Sequence, residues 1–334
     1  MIAITSATAA KKPVALPEAL PRPDAAVGPT KISVAIWLTD ISKIDSVGQT
    51  FSATAVFFLR WHDSQLAHSG PTAKQYPLDD VWHPDWVIVN ETAASSRALP
   101  ERVMVTADGT VTYHQRLVGT FAQVLDLRHF PFDRDTFRIH FVVAGYRREE
   151  IQFVPEETAI AAGLSGGAGI APQLSLQDWR VLSHTTRTLP YRVAPGVEIA
   201  GYAFEFSAAR NSWHFNIKVL IPLLLIVMMS WAVFWIEPKD NGPQFSIATT
   251  AMLTLIAYRF ALDVEVPKLP YMTRLDAFVL TSTFLVFLSM IEVLVTTKLA
   301  TANRMEVALK IDRCARWLAP AIFVTVSLAI FLRP

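Results

Sequence analysis

The chain has 334 residues, 52% of them hydrophobic and 18% charged, with a net charge of +1. A mean hydropathy of +0.33 is high for a protein that lives wholly in water, and the balanced charge lacks the basic footprint of a nucleic-acid binder. Cys314 is the single cysteine and the eight histidines show no HExxH spacing. That excludes an intrachain disulfide and a multi-cysteine metal centre, and no metal or other cofactor is expected.

Charge is distributed unevenly. Up to about Asn211 charged residues are interleaved throughout, and beyond it come long apolar runs broken by short polar stretches. This predicts a soluble half, residues 31–211, joined to a membrane half, residues 212–334. Residues 1–30, rich in Ala and Pro, contain no apolar core of signal-peptide length. They are predicted to be disordered, with an export signal that is missing or unusual.

From Lys31 to Asp63 the apolar positions alternate, as in Ile32, Val34, Ile36 and again Phe51, Ala53, Ala55, Phe57, Leu59. Period-two patterning means half-buried strands. Similar runs recur at 86–90, 102–106, 110–127, 136–143, 179–186 and 199–208, separated by turn signals such as Ser69-Gly70-Pro71, Asp108-Gly109 and Pro195-Gly196. About eight to ten strands at this spacing predict an antiparallel β-sandwich. The Gly163–Gly167 stretch fits G-x-S-x-G around Ser165, but a nucleophile elbow needs a strand before and a helix after, and the flanks here are a glycine-rich loop. A hydrolase is not expected. Arg147, Arg148, Glu149 and Glu150 read as a solvated turn.

Four apolar segments follow, at about 215–236, 245–263, 275–297 and 317–332. The first three meet the length of a bilayer span, and the last reaches it with Arg316 and Arg333 snorkelling. Lys298, Arg304, Lys310, Arg313 and Arg316 lie between the third and fourth segments, so positive-inside puts that loop in the cytoplasm and the sandwich outside. In a Gram-negative host this means the inner membrane, with the N-terminal domain in the periplasm.

The second segment is unusual. Ser246, Thr250, Leu253, Ala257, Phe260 and Val264 are spaced by alternating steps of four and three, which places them in one stripe on one helix face. Aligned hydroxyls suit the lining of a pore better than contact with lipid. A buried core helix or coiled-coil seam produces the same spacing. The opposite face carries Ala248, Ala251, Met252, Leu255 and Tyr258, suited to packing. Arg259 falls off the stripe and is expected to face a neighbouring helix, with Asp276 as its acidic partner.

The specific pieces stand in a telling order. They are Trp82-His83-Pro84-Asp85, Phe130-Pro131-Phe132-Asp133, Arg210 twelve residues before Pro222, Ser230-Trp231, the stripe, Pro267 to Tyr271, and Ile291-Glu292-Val293. Together they resemble the pentameric ligand-gated ion channels of the Cys-loop receptor superfamily, in particular its prokaryotic branch, over about residues 31–332. The positions matching the family's disulfide are Gln123 and Phe137, and prokaryotic members lack that bond too.

The resemblance implies a homopentamer in which an unidentified small-molecule agonist, or a proton, acting on the outer domain opens a central pore to permeating ions, with membrane lipids around it. It places an agonist site between subunits, under a hairpin near Tyr191, at positions corresponding to Phe58, Asn90, Tyr146 and Tyr191. Val56 and Val89 stand where amine receptors carry aromatics, so a cation-π cage is incomplete. It brings Asp45, Asp133 and Arg210 together beside Pro267–Tyr271 as the coupling cluster. Glu237, Lys239 and Asp240 at the inner mouth, and Asp263, Glu265 and Lys268 at the outer, leave one net acid at each, which favours cations in a ring of five. Asn241 to Gln244 stands where cation-selective members have a Glu. Leu253 and Phe260 are the expected gate. The rival expectation is a non-conducting sensor whose helices anchor and oligomerise it.

Overall fold

The computed structural model describes residues 20–157, 159, 167–213, 216–237, 241–265 and 269–332, without the side chains of 241 and 263–265. The disorder expected of residues 1–19 lies outside the described residues. Residues 20–30 are ordered, against expectation: Arg22 Nη1 donates to the Gly28 carbonyl and the Thr30 hydroxyl, both at 2.8 Å, closing the turns between them. Composition alone does not reveal one arginine with two fixed acceptors.

The soluble half is a sandwich of two sheets. The larger runs β10-β1-β2-β7-β6-β3, with β5 on β7 and β9 on β1, and the smaller runs β11-β13-β8-β4, with β12 on β13. Its long strands are β1 (Thr30–Asp45), β2 (Thr50–His62), β7 (Thr110–Ala122), β8 (Arg134–Arg147), β11 (Trp179–Thr188) and β13 (Val197–Arg210). The short ones are β3 (Lys74–Pro77), β4 (Trp86–Ile88), β5 (Ser96–Arg97), β6 (Arg102–Val105), β9 (Ile151–Pro155), β10 (Ala168–Ile170) and β12 (Tyr191–Ala194). The thirteen strands among the described residues exceed the expected eight to ten because β3, β5, β9, β10 and β12 have at most five residues, too few to display a period of two. Pairing is antiparallel except that β9 and β10 run parallel to β1.

Alternation sets the core. Phe51, Ala53, Ala55, Phe57, Leu59 and Trp61 of β2 are buried, and β2 pairs with β7 without a break from Thr50↔Ala122 to His62↔Thr110. Between the sheets, Phe51 meets Phe137 edge-on at 5.4 Å and Phe57 stacks on Trp86 at 5.1 Å, while within the smaller sheet Phe137 stacks on its cross-strand neighbour Phe206 at 5.0 Å. Such pairs add about 0.5 to 1.5 kcal/mol each beyond the area they bury.

The membrane half is a bundle of four apolar helices, each long enough to span a bilayer. α1 (Asn216–Trp235) opens with a π turn, continues as α-helix from Ile221 and closes in a 3-10 turn. α2 (Asn241–Glu265) starts four residues earlier than expected, because Pro243 in the first turn sacrifices no helical hydrogen bond. α3 (Arg274–Thr301) begins at a reciprocal cap: the Thr273 hydroxyl accepts from the Asp276 N–H, and the Asp276 carboxylate accepts from the Thr273 N–H. Asp276 is thus engaged as a cap and forms no ion pair with Arg259 among the described residues.

α4 is the largest departure from expectation. It spans Met305–Phe331, not 317–332, and the expected cytoplasmic loop shrinks to Ala302–Arg304, with Asn303 in the left-handed region (φ 56°). Glu306, Lys310, Asp312, Arg313 and Arg316 depress hydropathy in the first turns while remaining good or tolerable helix formers. In the bundle α2 packs against α1 and α3, and α4 packs against α3.

An ion triad on the smaller sheet was not legible in sequence. Glu205 Oε1 receives Arg138 Nε at 2.5 Å and Arg187 Nη2 at 2.8 Å. Burial raises the Glu205 carboxyl, but the Arg187 and Arg138 bonds outweigh it and hold the group below the usual carboxylate range. A depressed folded-state value contributes stability above the unfolded pKa of roughly 4 and loses it as pH falls. Glu205→Gln is expected to lower the melting temperature at neutral pH, with the gap to wild type closing on acidification below that value; thermal melts of the detergent-purified chain across pH check this.

Candidate functional site

The face of α2 that the bundle leaves uncovered is the predicted stripe. Ser246, Thr250 and Ala257 are exposed, Leu253 is 67% exposed and Phe260 70%. Ala248, Ala251 and Leu255 on the opposite face are buried, and Tyr258 hydrogen-bonds the Val219 carbonyl of α1 at 2.8 Å. The Val264 side chain lies outside the described residues. Thr250 Oγ1 donates to the Ser246 carbonyl at 2.7 Å, and Thr254 Oγ1 to the Thr250 carbonyl at 2.8 Å. With their protons committed to backbone, these hydroxyls present lone pairs outward and act as acceptors. Leu253 and Phe260 are seven residues apart, about 10 Å along the axis. Arg259 is exposed beside the stripe and, with Leu255, Ile256, Phe260 and Thr283, lines a groove of about 350 Å³.

Of the acids expected at the mouths, Glu237 is exposed at the end of α1. Asp240 and the side chains of Asp263 and Glu265 lie outside the described residues. At the inner end, Gln244 is buried, and its amide nitrogen donates to the carbonyls of Val233 (3.3 Å) and Ile236 (2.8 Å), tying the start of α2 to the end of α1.

Arg210, the last residue of β13, is where the two halves join. Its Nε reaches Asp133 Oδ1 at 2.9 Å, and its Nη2 donates to Asp133 Oδ2 at 3.0 Å and to Ser46 Oγ at 2.7 Å. The guanidinium lies over the rings of Trp179 (4.4 Å) and Phe130 (4.9 Å), and Asp133 is 2% exposed. Asp45 does not join this cluster. It caps its own turn through the Val47 and Gly48 N–H groups and pairs with Lys43 at 2.7 Å. The Gly48 N–H and Lys43 together hold its carboxyl below the usual range. Ser46, its neighbour, takes the place expected of Asp45, and a lone serine in a turn leaves no sequence signal for that.

The loop carrying Asp133 also touches the membrane half. Tyr271 Oη accepts the Leu127 N–H at 3.1 Å, the Arg274 N–H donates to the Arg128 carbonyl at 3.0 Å, and Phe132 meets Phe331 of α4 edge-on at 5.8 Å. Pro267 lies outside the described residues. Asp135, two residues past Asp133, has one buried oxygen without a hydrogen-bond partner, and burial, then the nearby Asp133 and Asp126, keep its carboxyl above the usual range.

The four expected ligand residues do not converge within one chain. Phe58 is exposed on the larger sheet and stacks on His114 at 6.2 Å. Asn90 is a backbone clamp, donating to the carbonyls of Ala122 (3.0 Å) and Arg138 (2.7 Å) and accepting the His140 N–H (3.1 Å). Tyr146 Oη accepts from Trp82 Nε1 at 2.7 Å. Tyr191 is exposed on β12, its ring 5.9 Å from His140, whose Nε2 contacts the Leu189 carbonyl at 2.8 Å. Sequence reasoning missed His140, because only the hairpin fold brings position 189 over it.

Family models describe both halves: the neurotransmitter-gated ion-channel ligand binding domain matches residues 18–184, and the neurotransmitter-gated ion-channel transmembrane region matches residues 219–306. The chain belongs to the neurotransmitter-gated ion channel family. A proton-gated ion channel of Gloeobacter violaceus is 25% identical over 313 residues, covering 92% of this chain and 84% of the relative. The gamma-aminobutyric acid receptor subunit beta-4 of Gallus gallus is 25% identical over 279 residues, covering 81% of this chain and 56% of the receptor subunit. This is a family of ion channels, not of enzymes; Ser165 lies outside the described residues. The protein is therefore an integral membrane protein with an extracellular β-sandwich and four membrane helices.

Arg210→Ala would leave the Asp133 carboxylate buried and unpaired, a cost of about 3 to 5 kcal/mol. The expected outcome is loss of assembled protein, or assembled protein without gated current, read by gel filtration and recordings. Asp45→Asn, at a side chain that touches neither Arg210 nor Asp133, is expected to assemble like wild type.

Proposed function

We propose that five copies of the chain surround an axis with the α2 stripe turned inward, and that a ligand or proton acting on the extracellular domain opens this pore to cations. One observation carries the reading: the uncovered face of α2 is the one with aligned hydroxyls. A helix that only anchors a sensor in lipid has no use for Ser246 and Thr250 on its open face. The bacterial inner membrane, with the sandwich in the periplasm, is the matching location.

The chemistry of the stripe supports cations. On the stripe, the Thr250 hydroxyl has its proton bound to backbone and so offers an acceptor to a partly dehydrated cation and no donor to an anion. Glu237 and Asp240 at the inner mouth, with Asp263 and Glu265 at the outer, add a net acid per subunit at each end, and such rings concentrate cations. A reversal potential that tracks the cation gradient and ignores chloride is expected in asymmetric salt. One that tracks chloride overturns the selectivity reading.

The gate is assigned to Leu253 and Phe260, whose fivefold rings would expel water, so that a crossing ion loses hydration it cannot replace. Leu253→Thr should hydrate the constriction and favour the open state. Proteoliposomes carrying it are expected to leak cations without a stimulus or to respond at lower stimulus. Unchanged basal flux and sensitivity in both Leu253→Thr and Phe260→Ala would refute this gate, and wild-type liposomes that never conduct would favour the anchored sensor.

For the stimulus, Phe58 on the larger sheet and Tyr146 and Tyr191 beside the smaller one would meet only across a boundary between subunits. Asp135 at the junction supports a proton stimulus, since its raised carboxyl takes up a proton earlier on acidification than an ordinary carboxylate. Asn90 is assigned a supporting role, because its amide is fully engaged with backbone.

A further inference from the structure

The intracellular half of the bundle holds two carboxyl groups that the channel reading does not use. Glu292 on α3 and Asp312 on α4 lie within hydrogen-bonding reach of each other. Asp312 is 0% exposed, and all four carboxyl oxygens of the pair are buried without a hydrogen-bond donor among the described residues. Counted from Thr301 and from Met305 at about 1.5 Å per residue, the pair sits roughly 10 to 14 Å in from the α3–α4 turn.

Among the described residues the surroundings offer no counter-charge. Arg316, one turn along α4 from Asp312, directs Nε to the Phe234 carbonyl (2.7 Å) and lays its guanidinium over the Trp235 ring (4.9 Å). Lys298 on α3 and Lys310 and Arg313 on α4 are exposed, as is Glu237 at the end of α1. α2 contributes Gln244, whose amide nitrogen is committed to the α1 carbonyls. The Thr296 hydroxyl, one turn along α3, donates to the Glu292 backbone carbonyl at 3.0 Å. Two carboxylates in contact, shielded from water and lacking a cation, cannot both be charged. Two carboxyls without further oxygen donors are also too few to cage calcium or magnesium.

We propose that Glu292 and Asp312 bind one proton between them, as an O–H···O hydrogen bond that fastens α4 to α3 and exchanges with the cytoplasmic side. With the proton present, one carboxyl donates and the other accepts. With it removed, two anions stand side by side and drive the outer helix away from the bundle. This makes the α3–α4 contact sensitive to internal pH, at a site apart from the extracellular junction, and it holds whether or not the pore conducts cations.

The test reads the carboxyl itself. Infrared spectra of the full chain in membranes near neutral pH should show a protonated-carboxyl C=O band that shifts on deuteration and loses intensity in the Glu292→Gln, Asp312→Asn double variant. Amides keep the shape and donors of the pair, and gel filtration checks that the variant assembles. In parallel, wild-type protein is treated with dicyclohexylcarbodiimide, an apolar reagent selective for protonated carboxyls, and peptides are mapped by mass spectrometry. The expected result is an adduct on Glu292 or Asp312 whose yield falls as pH rises. A band of equal intensity in the assembled double variant overturns the proposal. So does wild-type protein with no adduct at either residue, or with an adduct whose yield does not change with pH; the carbodiimide arm decides alone if the variant fails to assemble.

Discussion

An arginine side chain held 13% exposed where a β-sandwich ends needs a counter-charge at fixed geometry, and the Arg210–Asp133 pair meets that need. Three chain segments far apart in sequence converge on it: the β1–β2 turn through Ser46, the loop ending at Asp133, and the end of β13. The same loop hydrogen-bonds the segment before α3 and packs Phe132 on the end of α4. A displacement of the sandwich therefore has a short route into the bundle. The pair's importance lies less in net stability than in geometry, because burying two ions costs nearly what their attraction returns, whereas stranding one of them is expensive.

The bundle treats its four helices differently. α3 buries Leu275, Phe278, Val279, Leu285, Val286 and Val293 in line and serves as the centre of the packing, while α4 presents mostly exposed apolar side chains, as a lipid-facing helix does. α2 exposes a face that mixes hydroxyls with two large apolar groups, a composition that suits neither lipid nor a dry core. In the proposed pore, an axis shared with other copies of the chain would resolve that mismatch, and a boundary between copies would bring together Phe58 and Tyr191, which stand apart within a single chain.

Buried polar groups divide by how they are satisfied. Glu205 is neutralised by two arginines on neighbouring strands, and its carboxyl is held ionised. Asp135 has a single backbone donor, the Asp126 N–H at 3.2 Å, and burial dominates. Both lie in the extracellular domain, one set to stay charged and the other to take up a proton on acidification. The Glu292 and Asp312 carboxyls, which no donor among the described residues reaches, are the equivalent uncompensated group inside the membrane half.

Local periodicity determined what could be read from the chain alone. The period of two in β2 and the four-three spacing from Ser246 to Phe260 depend on neighbours within a few residues and reappear in the structure, while α2 begins four residues before its apolar run and α3 ends four residues after its own. The tertiary fold decided partners and edges. Ser46 displaced Asp45 because the β1–β2 turn bonds its own carboxylate to the Val47 and Gly48 N–H groups. Asp276 became a helix cap rather than a partner for Arg259, and the charged start of α4 folded as helix instead of loop. Glu205 found Arg138 through the β8–β13 register, which places them as direct neighbours. Asp45 and Asp276 were taken by backbone groups two or three residues away, which left the longer-range partners to other side chains; the Glu205–Arg138 and Arg210–Ser46 contacts depend on distances between segments far apart in sequence, which spacing along the chain does not encode.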